Sequence, residues 1–238
     1  MPTDKEMADA MKEMQWKDDL FHFAIAGGVA GGKSSLINAF RGLRNRDCGA
    51  APTGIPETTL TMARFPDSNL NYPCVWYDIH GAGTLRIPDW QYFNAQGFYL
   101  FDCIMVLFNY RFMMTDIAIL TNARRFHIPT YIIQSKADQH IRNMVAEMGY
   151  DSEYDDKDRR DQLLQAARTQ FITETRRSVK LNLQNANLPD QKVYIVSKDC
   201  LLRAVKGERS KNVIDELGLL TDLYNEAHAR RSCAAPVS

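Results

Sequence analysis

Gly27-Gly28-Val29-Ala30-Gly31-Gly32-Lys33-Ser34 fits the pattern G-x-x-x-x-G-K-[ST], a loop that wraps phosphate groups. It follows an apolar run from Phe21 to Ala26 and opens a helical pattern from Lys33 to Leu43, the strand-loop-helix setting the motif needs. The glycines let the backbone turn tightly, so that N–H groups from Gly28, Val29, Ala30, Gly31, Gly32, Lys33, Ser34 and Ser35 can converge on one anion. Lys33 brings a point charge to the terminal phosphates. Ser34 offers a hydroxyl to Mg²⁺. The following helix turns its positive end to the same place.

Working outward, short apolar runs alternate with helical patterns. Val75 to Tyr77, Cys103 to Phe108, Tyr131 to Ile133 and Val193 to Val196 read as further strands, nearly continuous in apolar residues as buried parallel strands are. Thr59 to Phe65 alternates and reads as an added edge strand. Helices are predicted over Lys33 to Leu43, about Asp89 to Tyr99, Thr115 to Phe126, about Asp158 to Lys180, and about Val213 to Ala229. The pattern predicts a three-layer α/β domain with a mostly parallel central sheet. Thr3-Asp4-Lys5-Glu6 has the form of a capping box, and Met7, Met11 and Met14 then share one helical face up to about Asp18. That face is expected to pack on the domain. The division expected is a helix in residues 1–19, the nucleotide domain in 20–230 and a tail in 231–238. The charged stretch Asp151 to Asp161 reads as a solvated loop entering a helix.

With 238 residues, 45% of them hydrophobic, the chain can build one large core. Its 29 Lys and Arg balance 29 Asp and Glu, so nothing in the overall charge points to nucleic acid. Arg41, Arg44 and Arg46 form a local basic cluster open to an anionic partner. Five cysteines lie scattered without metal-ligand spacing and read as reduced thiols of a cytoplasmic protein.

Polar motifs follow four of the strands, and in open α/β sheets such motifs share one rim. Asp78-Ile79-His80-Gly81 places a carboxylate for the Mg²⁺ shell and a Gly81 N–H for the γ-phosphate. Ser135-Lys136-Ala137-Asp138 fits [NTS]-K-x-D. The Asp138 carboxylate can accept from both donors on the guanine edge, a pair adenine lacks, and the Lys136 stem can lie against the base. Ser197-Lys198 falls beside the base carbonyl, where a backbone N–H can donate. Gly49 to Thr59 is rich in Gly, Pro and Thr, which predicts a mobile loop whose threonine completes the Mg²⁺ shell in the triphosphate state. Thr59 is the candidate.

Together these are guanine-nucleotide motifs, and their order and flanks resemble the interferon-inducible, immunity-related GTPases. The resemblance runs from Phe21 to Ser197. It rests on Gly27 to Ser35, on Gly49-Ala50-Ala51, Thr53-Gly54-Ile55, Glu57 and Thr59, on Asp78 to Thr84, and on Tyr110-Arg111-Phe112 followed by Asp116-Ile117. It implies a GTP hydrolase that takes GTP and GDP with Mg²⁺, pairs as a nucleotide-dependent homodimer, and acts peripherally on intracellular membranes. It also implies a catalytic part for Glu57. His80 stands where the family usually has proline. About forty residues follow Val196, where the family carries a larger helical domain, so a domain-sized or truncated relative is expected. Ala82 replaces the glutamine that orients water in Ras-like enzymes, so basal turnover should be slow. Glu57, His80 or an arginine such as Arg44 or Arg46 acting in trans are candidates to assist. The alternatives are a module that holds guanine nucleotide with negligible hydrolysis, and an ATP-using enzyme, against which the Ser135 to Asp138 tetrapeptide argues.

Overall fold

A computed structural model of the chain describes residues 2–28, 31–54, 62–69, 71–79, 89–151 and 156–234, with side chains described up to residue 229 apart from that of Asp89. The strands are β1 (Phe21–Gly27), β2 (Ala63–Pro66), β3 (Cys74–Asp78), β4 (Cys103–Phe108), β5 (Thr130–Gln134) and β6 (Val193–Ile195). The helices are α1 (Asp4–Glu13), α2 (Lys33–Phe40), α3 (Asp89–Ala95), α4 (Met114–Arg125), α5 (Ala137–Glu147), α6 (Lys157–Asn185), α7 (Lys198–Val205) and α8 (Glu216–Ala234). The six strands form one sheet in the order β2-β3-β1-β4-β5-β6. All pairs are parallel except β2 with β3; β2 is the edge strand expected in this region, over Ala63–Pro66, and residues 59–61 of the expected stretch lie outside the described residues.

Strand alternation assigns each side chain to one of two cores. Ala24, Ala26, Val75, Tyr77, Ile104, Val106, Ile132 and Val193 face α3, α4 and α6, where Phe93, Ile119, Leu120 and Val179 meet them. Phe23, Ile25, Trp76, Met105, Leu107, Ile133 and Tyr194 face α2, α7 and α8, where Leu36, Ile37, Leu201 and Leu219 meet them. Both faces are thus covered, which is why the strands read as continuous apolar runs. The fold is the expected three-layer α/β domain.

Two helices add to the expected set. The tetrapeptide from Ser135 and the pair Ser197-Lys198 are helix entrances rather than plain loops, because α5 and α7 start there. Ile141, Met144, Val145 and Met148 supply the helical spacing of α5, packing with Leu163, Leu164 and Phe171 of α6. Several bounds also shift. The first helix stops at Glu13, because Gln15 turns left-handed at φ 52°. Helix α2 stops at Phe40 rather than Leu43, and α6 runs on to Asn185 beyond Lys180. Helix α8 begins at Glu216 rather than Val213 and continues to Ala234, past residue 231. Asp156 caps α6 by accepting from Arg159 N at 2.8 Å, so the charged stretch is a helix entrance from Asp156 on, and residues 152–155 lie outside the described residues. Among the described residues, Cys48, Cys74, Cys103 and Cys200 form no disulfide.

The capping box forms as expected: Glu6 Oε2 accepts from Thr3 N at 2.7 Å, and Thr3 Oγ1 accepts from Glu6 N at 3.3 Å. Met7, Met11 and Met14 pack against the first core, so the methionine face is domain packing. A buried histidine anchors the chain just after α1. The His22 ring stacks on Trp16 with centroids 3.7 Å apart, and its nitrogens meet Tyr77 Oη at 2.9 Å and Lys17 O at 3.0 Å. Burial holds the His22 pKa below the ordinary histidine value, outweighing the bond to Lys17 and the charge of Asp102. The neutral ring is therefore the folded form. The unfolded chain takes up its proton first as pH falls through about 6.5, so this part of the stability is present above that value and lost below it. Urea midpoints measured from pH 8 to 5 should fall more steeply for the wild type than for His22→Gln. Burial raises the carboxyl pKa of Asp116 and Glu216, which acts in the opposite sense, and both variants share it. Equal slopes would place the proton uptake elsewhere.

Candidate functional site

The central strand β1 is where progress across the sheet reverses, with β3 on one side and β4 on the other. Ligands in open α/β sheets bind beyond the carboxyl end of such a strand. Gly27 ends β1 at φ 138°, and a Cβ there would sit 1.8 Å from Leu107 O, so β4 approaches only because that position lacks a side chain. Gly32 is the N-cap of α2 at φ 86° and supplies no side-chain cap. The first N–H groups of α2 are left for a ligand, as an anion-binding helix end requires.

Lys33 is 9% exposed and folds back over the loop, donating to Gly27 O at 3.3 Å and Gly28 O at 3.4 Å. Ser34 Oγ donates to Asp78 Oδ2 at 2.5 Å. Asp78 ends β3, is 7% exposed, and its Oδ1 is buried without a partner among the described residues. A hydroxyl beside a carboxylate with an orphaned oxygen is the hard-oxygen donor set Mg²⁺ takes, so these residues fit the ion. Ser35 contributes otherwise: its Oγ accepts from Asn45 Nδ2 at 3.0 Å. Asn38 brackets Ala51, accepting from its N–H at 2.6 Å and donating to its carbonyl at 3.0 Å. The loop after α2 is thereby tied to that helix at Ala51. Arg41 belongs to this frame too, 9% exposed and donating to Pro66 O and Gly49 O, each at 2.8 Å, so it is not part of an open basic cluster.

The base-side motif is fastened to the phosphate loop. Ser135 Oγ donates to Gly31 O at 2.6 Å, and Ser135 N donates to Phe108 O at 3.0 Å. Lys136 takes φ 56° as the N-cap of α5, and its Cε lies 3.6 Å from where a Cβ of Gly32 would stand. Its stem therefore crosses the loop. Asp138 sits in the first turn of α5, with Oδ2 on Arg142 Nη2 at 2.8 Å. Ala137 N donates to Val196 O at 3.1 Å, which joins this turn to the end of β6. Ser197 caps α7 by accepting from Cys200 N at 3.3 Å, and its own N–H goes to Glu216 Oε1 at 2.9 Å. The base-facing N–H expected at this motif is therefore not that of Ser197. Lys198 opens α7, with Nζ 3.4 Å from Asp199 Oδ1.

Gly28, Gly31, Gly32, Lys33, Ser34, Ser35, Asp78, Lys136, Asp138, Ser197 and Lys198 thus line one rim. Val29, Ala30, Glu57, Thr59, His80 and Gly81 lie outside the described residues. Two carboxylates outside the predicted site residues also neighbour the site. Glu216 binds the Ser197 turn from 19 positions away, and nothing local signals it. Asp116 is fully buried, accepts from Met113 N at 2.7 Å and leaves Oδ1 without a partner among the described residues. Burial pushes its pKa up to about 6, against the Met113 bond and the charge of Lys33.

The family described as interferon-inducible GTPase matches residues 5–202. Interferon-inducible GTPase 1 of Mus musculus is 33% identical over 142 residues, which is 59% of this chain and 33% of that protein. T-cell-specific guanine nucleotide triphosphate-binding protein 2 of Mus musculus is 30% identical over 122 residues, covering 51% and 29%. The chain spans about a third of the length of these curated relatives. Among solved structures, a bacterial selenocysteine-specific elongation factor, EF-Sec, aligns with 80% of this chain and 28% of its own, at a TM-score of 0.46 and 17% identity. A family match running from α1 into α7 takes in the phosphate loop and both base-side turns, and on it the chain belongs to the interferon-inducible GTPase family.

Proposed function

We propose that this chain is a guanine-nucleotide-binding domain that hydrolyses GTP to GDP with Mg²⁺, slowly alone and faster when two copies pair through their nucleotide faces. The observation that carries the reading is the 2.6 Å bond from Ser135 Oγ to Gly31 O. It fixes the guanine-reading tetrapeptide directly on the phosphate loop, so both ends of one nucleotide meet a single hydrogen-bonded unit.

In this reading the N–H groups of residues 28–35 and Lys33 bind the β- and γ-phosphates. Lys33 exchanges its bonds to Gly27 O and Gly28 O for phosphate oxygens, so its charge is already at the loop. Ser34, Asp78 and, in the triphosphate state, Thr59 would hold Mg²⁺, which when bound neutralises charge on the phosphates. Asp138 orients the base, and Lys136 covers it. Phosphoryl transfer needs positioning and charge more than covalent chemistry, and these residues supply both. Gly81 offers an N–H to the γ-phosphate. Ala82 has no polar side chain to hold water, which favours slow turnover and leaves Glu57 or His80 to assist in the paired state. Cytoplasmic residence with peripheral contact to intracellular membranes belongs to the same proposal and rests on family membership. Among the described residues no helix is long and apolar enough to cross a membrane.

Phosphate release from GTP should rise in specific activity as protein concentration rises, with Lys33→Ala as the inactive reference. A flat profile above that reference would remove the pairing step. A wild type no faster than Lys33→Ala, yet still binding GDP, would establish the alternative of a nucleotide-holding module, the reading that Ala82 also suits.

A further inference from the structure

Strand β6 is the sheet edge, so alternate N–H groups along it point away from β5. Val196 N donates inward to Gln134 O at 2.9 Å. Toward the carboxyl end of the strand the outward N–H groups are those of Ile195 and, just past it, Ser197, and each meets a carboxylate. Ile195 N donates to Asp215 Oδ2 at 2.9 Å, and Ser197 N donates to Glu216 Oε1 at 2.9 Å. Asp215 N returns a bond to Ile195 O at 3.3 Å. Two consecutive acidic residues thus cover the carboxyl-terminal part of an edge that otherwise invites a further strand.

The two carboxylates differ. Asp215 also pairs with Arg176 Nη2, at 3.0 and 3.1 Å. Glu216 is fully buried, and its Oε2 accepts from Ile214 N at 2.6 Å. Burial raises its pKa against those bonds. Water can satisfy the outward N–H of an exposed edge, whereas a buried carboxylate costs free energy to keep. What Glu216 secures is the conformation of the Ser197 turn. With Ser197 N donating to Glu216 and Ser197 O accepting from Leu201 N, both backbone groups of that residue are engaged, and its Oγ accepts from Cys200 N. The next donor is the N–H of Lys198, the first residue of α7, which has no intrahelical partner. The same turn accepts from Ala137, the neighbour of Lys136 and Asp138, through Val196 O.

We propose that Glu216 is a positioning residue for purine recognition, holding the Ser197 N–H so that the Lys198 N–H donates to the carbonyl at position six of the base. This rests on the guanine reading given above. Glu216→Met keeps the length of the side chain and removes both acceptors. It should weaken GDP and IDP alike, by about tenfold, because both carry that carbonyl. Inorganic tripolyphosphate, which touches only the phosphate loop, should bind as in the wild type. Glu216→Gln keeps one acceptor and should recover part of the loss, and Asp215→Asn should leave GDP within about twofold. Unchanged GDP affinity, or an equal loss for tripolyphosphate, overturns the proposal. Should Glu216→Met not fold, amide resonances of the ¹⁵N-labelled wild type decide. The Lys198 amide should move with GDP and not with tripolyphosphate, while the Ser197 amide stays, and the reverse pattern overturns it. A wild type that binds no GDP overturns instead the guanine reading beneath it.

Discussion

Gly27→Ala is expected to unfold the domain or to destabilise it by at least about 4 kcal/mol, at the far end of what a single methyl group does. The added Cβ would stand 1.8 Å from Leu107 O and 2.8 Å from Leu107 C. Both are backbone atoms in the centre of the sheet, where Gly27 pairs with Leu107, so no side chain can swing aside. The φ of 138° adds strain for any residue with a Cβ. Relief requires β1 and β4 to separate at the point where the phosphate loop leaves the sheet. Against a typical total stability of about 5–15 kcal/mol, that is at least about a quarter of the margin and most of it at the lower end. Gly28→Ala is the matched comparison. Among the described residues, its chain neighbours aside, no heavy atom lies within 4 Å of its added Cβ, so its stability should stay within about 0.5 kcal/mol of the wild type. Urea unfolding of the three proteins measures this. A Gly27→Ala midpoint equal to that of Gly28→Ala would mean that β1 and β4 do not approach as described.

The same residue shows how far local sequence reaches. A glycine at the first position of the phosphate motif is legible, and so is its place after a strand. That its hydrogen faces a carbonyl of β4 is not, because the contact joins residues 80 positions apart. The parallel sheet is legible from continuous apolar runs, since burial on both faces leaves no polar positions to confuse the period. Helices α5 and α7 are hidden for a physical reason. Their first turns carry the motif residues, and α5 has no side-chain cap to announce it, its N-cap being a left-handed lysine. The spacing of Ile141, Met144, Val145 and Met148 is the signal that marks α5. The phosphate loop, Asp78 and the two base-side turns stand at fixed offsets from strand ends, so the rim is legible. The partners that set their geometry are not. Ser135 reaching Gly31, Asn38 bracketing Ala51 and Glu216 holding Ser197 are tertiary bonds with no sequence period. Asp116 shows the same limit: its place in the family pattern is readable, but only packing makes it a buried carboxylate with an orphaned oxygen.

Asp138→Asn should lower GTP affinity by about a hundredfold or more and raise affinity for xanthosine triphosphate, so that the preferred base changes. Guanine presents two donors side by side, a ring N–H and an exocyclic amine. A carboxylate accepts from both, each bond strengthened by its charge. An amide accepts from one and turns its own donor on the other, and a site that leaves such a pair unmatched discriminates strongly. Xanthine replaces the amine with a carbonyl, which restores the match to asparagine. The ion pair from Asp138 to Arg142 does not account for such a change. Its side chains are 36% and 63% exposed, so its loss should move folding stability by no more than about 0.5 kcal/mol. Arg142→Ala tests that separately and should leave GTP binding within about twofold, since the carboxylate keeps free lone pairs for the base. The phosphate loop is untouched in both variants, so tripolyphosphate should bind each as it binds the wild type. Competition of GTP, ATP and xanthosine triphosphate against a fluorescent guanine nucleotide reads the exchange of preference directly. An Asp138→Asn protein that melts normally and still selects GTP would take Asp138 out of the base pocket, whatever the phosphate loop then binds.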